Sequence, residues 1–196
     1  MNKCAYQRPN KPLFISVQKR LRSVEIETPS VDVLSVHAST ECHVTPLDVA
    51  DKMAEYLNLD DGLSVLDPQV GTGNLARACF NIGYNIQLTA IERNFALYEV
   101  ATRNMKGFNA EVINRCFLEY AAHPRKKFDR VITNPPFSQV KKHMKAALDL
   151  LANNGEMIAL VPVTFNMPGA ELLEHLSNDC FALAKVNTKL IRITKN

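Results

Sequence analysis

Residues of the right type for chemistry concentrate in two short segments led by Asp67 and Asn134. The first reads Asp67-Pro68-Gln69-Val70-Gly71-Thr72-Gly73 and runs on to Ala76. Glycines at such a turn let the backbone bend sharply and approach a ligand, with the positive end of a helix behind them. As Gly-x-Gly-x-x-Ala the segment also meets the loose dinucleotide-binding fingerprint. Glu92 follows one strand later, where a carboxylate is placed to accept from ribose hydroxyls. Together they point to a cofactor containing a nucleoside. The second segment is Asn134-Pro135-Pro136-Phe137. Its prolines fix the backbone and remove two N–H donors, so carbonyls point outward as acceptors. The asparagine adds an amide acceptor and the phenylalanine a flat apolar wall. That combination suits a planar substrate bearing an NH2 group.

For those segments to meet, both must sit at the carboxyl edge of one sheet. The patterning predicts this. Apolar strand runs at 64–68, 87–92, 110–117, 128–134 and 156–163 alternate with helical periods at 74–82, 95–105, 138–152 and 168–178. Alternation at this spacing calls for a mostly parallel sheet with helices on both faces. Ahead of them, Thr45-Pro46-Leu47-Asp48 reads as a helix start with a capping hydroxyl. Val49, Ala50, Met53, Ala54 and Leu57 then share one face. At the end, CFALAKV (180–186) and KLIRITKN (189–196) are joined by Asn187-Thr188 alone, too short for a parallel crossover. The expected fold is therefore an α/β, Rossmann-like, seven-stranded and mostly parallel sheet closed by a C-terminal antiparallel hairpin. Asp67, Glu92 and Asn134 would end its first, second and fourth strands, on the edge where ligands bind in such sheets.

Composition sets the outer limits. The chain has 196 residues, 46% hydrophobic and 22% charged, a length fitting one domain or one domain with a tail. There is no apolar run long enough for a transmembrane helix, and the N-terminus lacks the apolar core of a secretory signal. Five scattered cysteines, never in a C-x-x-C pair, read as reduced cytoplasmic thiols rather than a disulfide frame or zinc site. Charge is unevenly spread. Residues 1–24 hold six of the 23 basic side chains and none of the 20 acidic ones, leaving the remainder at −3. Residues 1–36 show no sustained period and read as a basic, partly ordered arm. It serves either a polyanion such as nucleic acid or nothing beyond solvation.

DPQVGTG, Glu92 and NPPF together resemble a class I S-adenosylmethionine-dependent methyltransferase of the amino-methylating branch. The likeness is strongest to N6-adenine DNA methyltransferases, covers roughly residues 40–165, and makes 37–196 the methyltransferase domain. His43-Val44-Thr45-Pro46 resembles the helix motif that precedes the cofactor loop in this family. The resemblance implies that Thr45, Asp67, Pro68, Gly71 and Gly73 line S-adenosylmethionine and that Glu92 holds its ribose. It implies that Asn134 and the Pro135 carbonyl grip the target amine beside Pro136, while Phe137 stacks on the base. The reaction implied is direct transfer of the sulfonium methyl to an exocyclic amine, with the base first extruded from a duplex.

Two departures from the family pattern stand out. Where an aspartate usually opens a D-F-L segment and accepts from the cofactor's adenine amine, this chain has Cys116-Phe117-Leu118. A thiol accepts poorly, leaving Glu119 or a backbone carbonyl to substitute. Nor is there a segment of adequate size for a target-recognition domain, so target choice falls to the arm, surface loops or a partner. Lys141, Lys142 and Lys145 follow NPPF on the first turns of its helix, placed either for phosphate or for water. Phe165 is placed either as a second wall for the base or as core. His43 and His143 have no metal-like spacing and are assigned no chemistry. Other functions consistent with the motifs are RNA guanine N2 or adenine N6 methylation, protein glutamine N5 methylation, and a non-catalytic methyltransferase fold that binds nucleic acid or a partner. A nicotinamide oxidoreductase leaves NPPF unexplained.

Overall fold

The computed structural model describes residues 44–83, 85–124, 126–177 and 187–196, and the backbone of 12–17 and 32–37. His43, most of the basic arm and the CFALAKV segment lie outside the described residues. The chain divides into two compact units, 1–42 and 43–196. In the first, β1 (Pro12–Val17) pairs antiparallel with β2 (Asp32–His37), setting Leu13 opposite Val36 and Ile15 opposite Leu34. The sequence pattern predicts no sustained element here, because each strand is only six residues long and no period extends beyond it.

The second unit is built on one seven-stranded sheet, whose strands are β3 (Ser64–Asp67), β4 (Gln87–Glu92), β5 (Ala110–Asn114), β6 (Phe128–Thr133), β7 (Leu151–Pro162), β8 (Ala170–His175) and β9 (Thr188–Thr194). Their spatial order is β5-β4-β3-β6-β7-β9-β8. The pairs β3–β4, β3–β6, β4–β5 and β6–β7 are parallel, and β9 runs antiparallel to both β7 and β8. Helices α1 (Leu47–Glu55), α2 (Asn74–Ile82), α3 (Phe95–Asn104), α4 (Phe117–Ala122) and α5 (Val140–Leu150) cover the two faces. This is the expected Rossmann-like architecture. Among the described residues, no helix is long and apolar enough to cross a membrane.

Strand periodicity sorts the core into two layers. Val65, Ile132, Ile158 and Leu160 face one cluster with α1, α2 and α3. Their neighbours Leu66, Val131, Met157 and Ala159 face the other, with α4 and α5. Successive side chains point to opposite faces of a strand, so a sheet buried on both sides needs apolar residues in unbroken runs. Fully buried residues such as Leu57, Leu66 and Phe128 each contribute about 1.5–3 kcal/mol.

Three expectations are corrected. Within the segment expected as a helix over 168–178, residues 170–175 form the edge strand β8 instead. Its leucines at 172, 173 and 176 mimic a helical face, but the open edge of β9 needs a hydrogen-bonding partner. The conflict shows in a register shift between Leu172 and Glu174. The strand expected over 110–117 stops at Asn114, and residues 117–122 form α4, too short for periodicity to reveal. The N-cap of α1 is Pro46, without a side-chain cap, so the Thr45 hydroxyl does not cap the helix. The antiparallel close is present, but its described partners are β9 with β7 and β8, since 180–186 lies outside the described residues.

Candidate active site at the carboxyl edge of the sheet

Because β3, β4, β5 and β6 run parallel, the loops that follow them emerge together. Asp67 closes β3 and is fully buried. Its Oδ1 accepts from the Gln69 backbone N–H at 3.3 Å, and its Oδ2 is buried with no hydrogen-bond partner. Loss of water around the carboxylate pushes its pKa up to about 8, with a smaller push from Glu92. A buried carboxylate left half-satisfied is costly, and such sites cluster where a ligand completes the shell.

Gly71 and Gly73 both adopt left-handed backbone, at φ 54° and 94°. Gly73 is the N-cap of α2, and a Cβ there would lie 3.3 Å from Met105 Cε. The left-handed backbone already favours glycine here, and the tight approach of Met105 adds to it. Pro68 is buried behind the turn. The Gly71 N–H donates to Glu92 Oε2 at 3.0 Å, and the Asn94 N–H donates to Oε1 at 2.8 Å. Two backbone amides thus aim the Glu92 carboxylate at the end of β4 and leave each oxygen a second lone pair. Burial nonetheless raises its pKa above the ordinary carboxylate range.

Beyond β5, Cys116 is the N-cap of α4 and makes no side-chain capping bond. It is half-buried, with the buried Phe117 directly after it. Glu119 is exposed in the first turn of α4.

Beyond β6 comes Asn134, half-buried, then the buried Pro135, then Pro136 leading into a 3-10 turn at Phe137–Gln139. Asn134 Nδ2 donates to Thr45 Oγ1 at 3.1 Å, while the Thr45 carbonyl accepts from Asn74 Nδ2 at 2.8 Å. Thr45 therefore joins the start of α2 to the asparagine, the function its hydroxyl has in place of capping. Phe137 packs partly against the α1–α3 layer. Lys141 and Lys142 are exposed on the first turn of α5. Phe165 is only 6% exposed and packs in the α4–α5 layer, with its N–H bonded to the Pro162 carbonyl.

Two residues that sequence reasoning passed over lie at the centre. Gln69 Oε1 accepts from Thr133 Oγ1 at 2.6 Å, and Gln69 Nε2 lies 2.8 Å from His143 Nδ1. The His143 ring stands 5.8 Å from that of Phe117. No short-range signal could have found this, because the partners are 64 and 74 residues apart. Among the described residues, no group of three or more His, Cys, Asp or Glu side chains is placed to hold a metal ion. Chemically, the edge offers a buried carboxyl in need of a partner, an oriented carboxylate and an amide locked to a hydroxyl.

Comparison with known proteins bears on the family and the fold. A family model described as the methyltransferase small domain matches residues 44–189. The modification methylase CviBIII of Paramecium bursaria Chlorella virus NC1A is 25% identical over 96 residues, 47% of this chain and 25% of that protein. TrmN from Thermus thermophilus superposes with a TM-score of 0.63 at 17% identity, over 85% of this chain and 56% of that one. The 23S rRNA methyltransferase ErmE gives a TM-score of 0.65 at 19% identity, over 76% of this chain and 68% of that one. This chain thus spans a quarter of the methylase's length and little more than half of TrmN's.

Proposed function

The chain belongs to the methyltransferase small domain family, and from that premise we propose that it moves the methyl group of S-adenosylmethionine to an exocyclic amine of a nucleic-acid base, adenine N6 in DNA foremost. The observation that carries the reading is the amide of Asn134. Its nitrogen is committed to Thr45, which turns the oxygen branch the other way, at the head of Pro135-Pro136-Phe137.

S-adenosylmethionine fits the residues present. The unpartnered Oδ2 of Asp67 calls for a donor or cation from a ligand. The second lone pairs of Glu92 suit ribose hydroxyls. Thr45, Pro68, Gly71 and Gly73 border the same edge, with Cys116 and Phe117 towards its β5 side. The cofactor supplies an electrophilic methyl on a sulfonium.

The remaining work falls to the chain. An exocyclic amine of adenine is a weak nucleophile because its lone pair is delocalised into the ring. Asn134 Oδ1 and the Pro135 carbonyl accept its two hydrogens, favouring a pyramidal nitrogen whose lone pair faces the donor. Phe137 holds the ring plane. Little proton chemistry precedes attack, so positioning and electrostatics carry the rate. Lys141 and Lys142, exposed on the first turn of α5, are the residues we assign to the phosphate backbone, and in a duplex the target base is first extruded.

The test incubates the protein with tritiated S-adenosylmethionine and, separately, DNA, rRNA and protein pools. Label enters DNA, and Asn134→Ala lowers the transfer by about a hundredfold or more while cofactor affinity holds. Label in rRNA alone would move the substrate to RNA. An absence of both label and cofactor binding would leave a non-catalytic fold.

A further inference from the structure

We infer that Gln69 is a positioning residue that sets the target-amine loop in register with the cofactor loop. The inference rests on the methyl-transfer reading for its kinetic consequence only. Gln69 lies two residues after Asp67, inside the candidate cofactor loop, and its side chain leaves that loop to meet two others. Thr133, the last residue of β6, precedes Asn134 directly and donates its hydroxyl to Gln69 Oε1 at 2.6 Å. His143, in the opening turns of α5, places Nδ1 2.8 Å from Gln69 Nε2. Residues 134–139 are therefore held at both flanks by one amide.

In the structure the Thr133 hydroxyl donates to Gln69 Oε1, which leaves the NH2 end facing His143. Nδ1 of His143 then accepts, and a neutral ring keeps its proton on Nε2. The three side chains form one directed series, from hydroxyl to amide to imidazole. Thr133 is 1% exposed and His143 9%, so little water is at hand to replace either bond. The His143 ring in turn rests beside Phe117 at the head of α4. A movement of the cofactor loop at Gln69 must accordingly shift Thr133 and the backbone of Asn134 with it.

The test uses Gln69→Met, which keeps length and volume, and Thr133→Val, an isosteric cut at the other end of the same bond. Three quantities are measured: S-adenosylmethionine affinity by calorimetry, single-turnover methyl transfer, and the NMR shift of the Asn134 side-chain amide as cofactor is titrated in. In the wild type the Asn134 amide shifts on cofactor addition, and His143 Nδ1 gives the signal of a bare acceptor nitrogen. In both variants cofactor affinity stays within about threefold, transfer falls by about tenfold to a hundredfold, and the Asn134 amide no longer responds. An Asn134 amide that responds equally in variant and wild type overturns the inference, as does one that never responds. Loss of affinity in step with transfer also overturns it, because that is general damage. Should Gln69→Met fail to fold, Thr133→Val decides. Wild-type protein that methylates nothing would sink the proposed function, while the NMR comparison would still judge Gln69.

Discussion

Asp67 carries the sharpest consequence at the scale of single residues. Its pKa of about 8 in the folded chain stands far above the value near 4 that it has when unfolded. Between those values the folded state holds a proton that the unfolded state has lost. Stability therefore falls as pH rises through this range and levels off above about 8. Asp67→Asn removes that fall, which thermal unfolding from pH 5 to 9 will show as a flatter profile with a higher melting temperature at the alkaline end. A cationic or donor group of the cofactor at Oδ2 needs the carboxylate instead. Binding should thus release protons at pH 7, read by calorimetry in buffers of different ionisation heat, and the release should vanish in Asp67→Asn. Cys116 offers a second residue-scale prediction. It occupies an N-cap position without a capping side chain. Cys116→Ser should add about 0.5–1 kcal/mol of stability through the cap alone. Cys116→Asp should give the same gain and also raise cofactor affinity, by about tenfold for one charge-assisted acceptor. Equal affinities for the two variants would place the cofactor's amine elsewhere.

At the scale of elements, the edge strand β8 separates what local pattern can say from what the sheet decides. Leu172 and Leu173 would lie near one another on a helix, but on a strand they point oppositely. Leu172 is 51% exposed, while Leu173 packs against the α1–α3 layer. In denaturant unfolding, Leu172→Lys should change stability by no more than about 0.5 kcal/mol, and Leu173→Ala should cost about 1–2 kcal/mol. Equal effects would favour a helix there. The elements that were legible, β3, β4, β6, α2 and α3, owe it to local causes: unbroken apolar runs, a glycine turn, and a clean stripe over three helical turns. The misread ones answer to distant partners. α4 is six residues long, and only Phe117 and Tyr120 of it are buried. The Thr45 hydroxyl bypasses its own helix for an asparagine 89 positions away. For the candidate site, the positions of Asp67, Glu92 and Asn134 followed from strand ends. The amide bonds that orient them did not, because an asparagine or glutamine in sequence carries no mark of where its side chain will turn.

For the whole molecule the governing quantity is the distribution of charge. The six basic residues at 3, 8, 11, 19, 20 and 22 open the N-terminal unit, while the chain after residue 24 is net negative. If the arm touches a phosphate backbone, replacing those six by glutamine should weaken DNA binding. It should also reduce the slope of log K against log salt by about 0.9 for each lost contact on a duplex. Cofactor affinity, which belongs to the second unit, should be unaffected. An unchanged salt slope would return those charges to plain solvation and leave Lys141 and Lys142 as the phosphate contacts to test.

The proline after Asn134 also decides how the protein ages. An asparagine loses its amide when the next residue's backbone nitrogen attacks the side-chain carbonyl and closes a five-membered imide. Pro135 has no N–H to make that attack, so the amide proposed to grip the target is sheltered from the ordinary route of decay. Asn154 stands in the opposite situation. It is exposed at φ 60° and followed by Gly155, the neighbour that hinders such ring closure least. Over long storage, a gain of one mass unit should therefore accumulate at Asn154, near the start of β7, while the Asn134 amide endures unaltered.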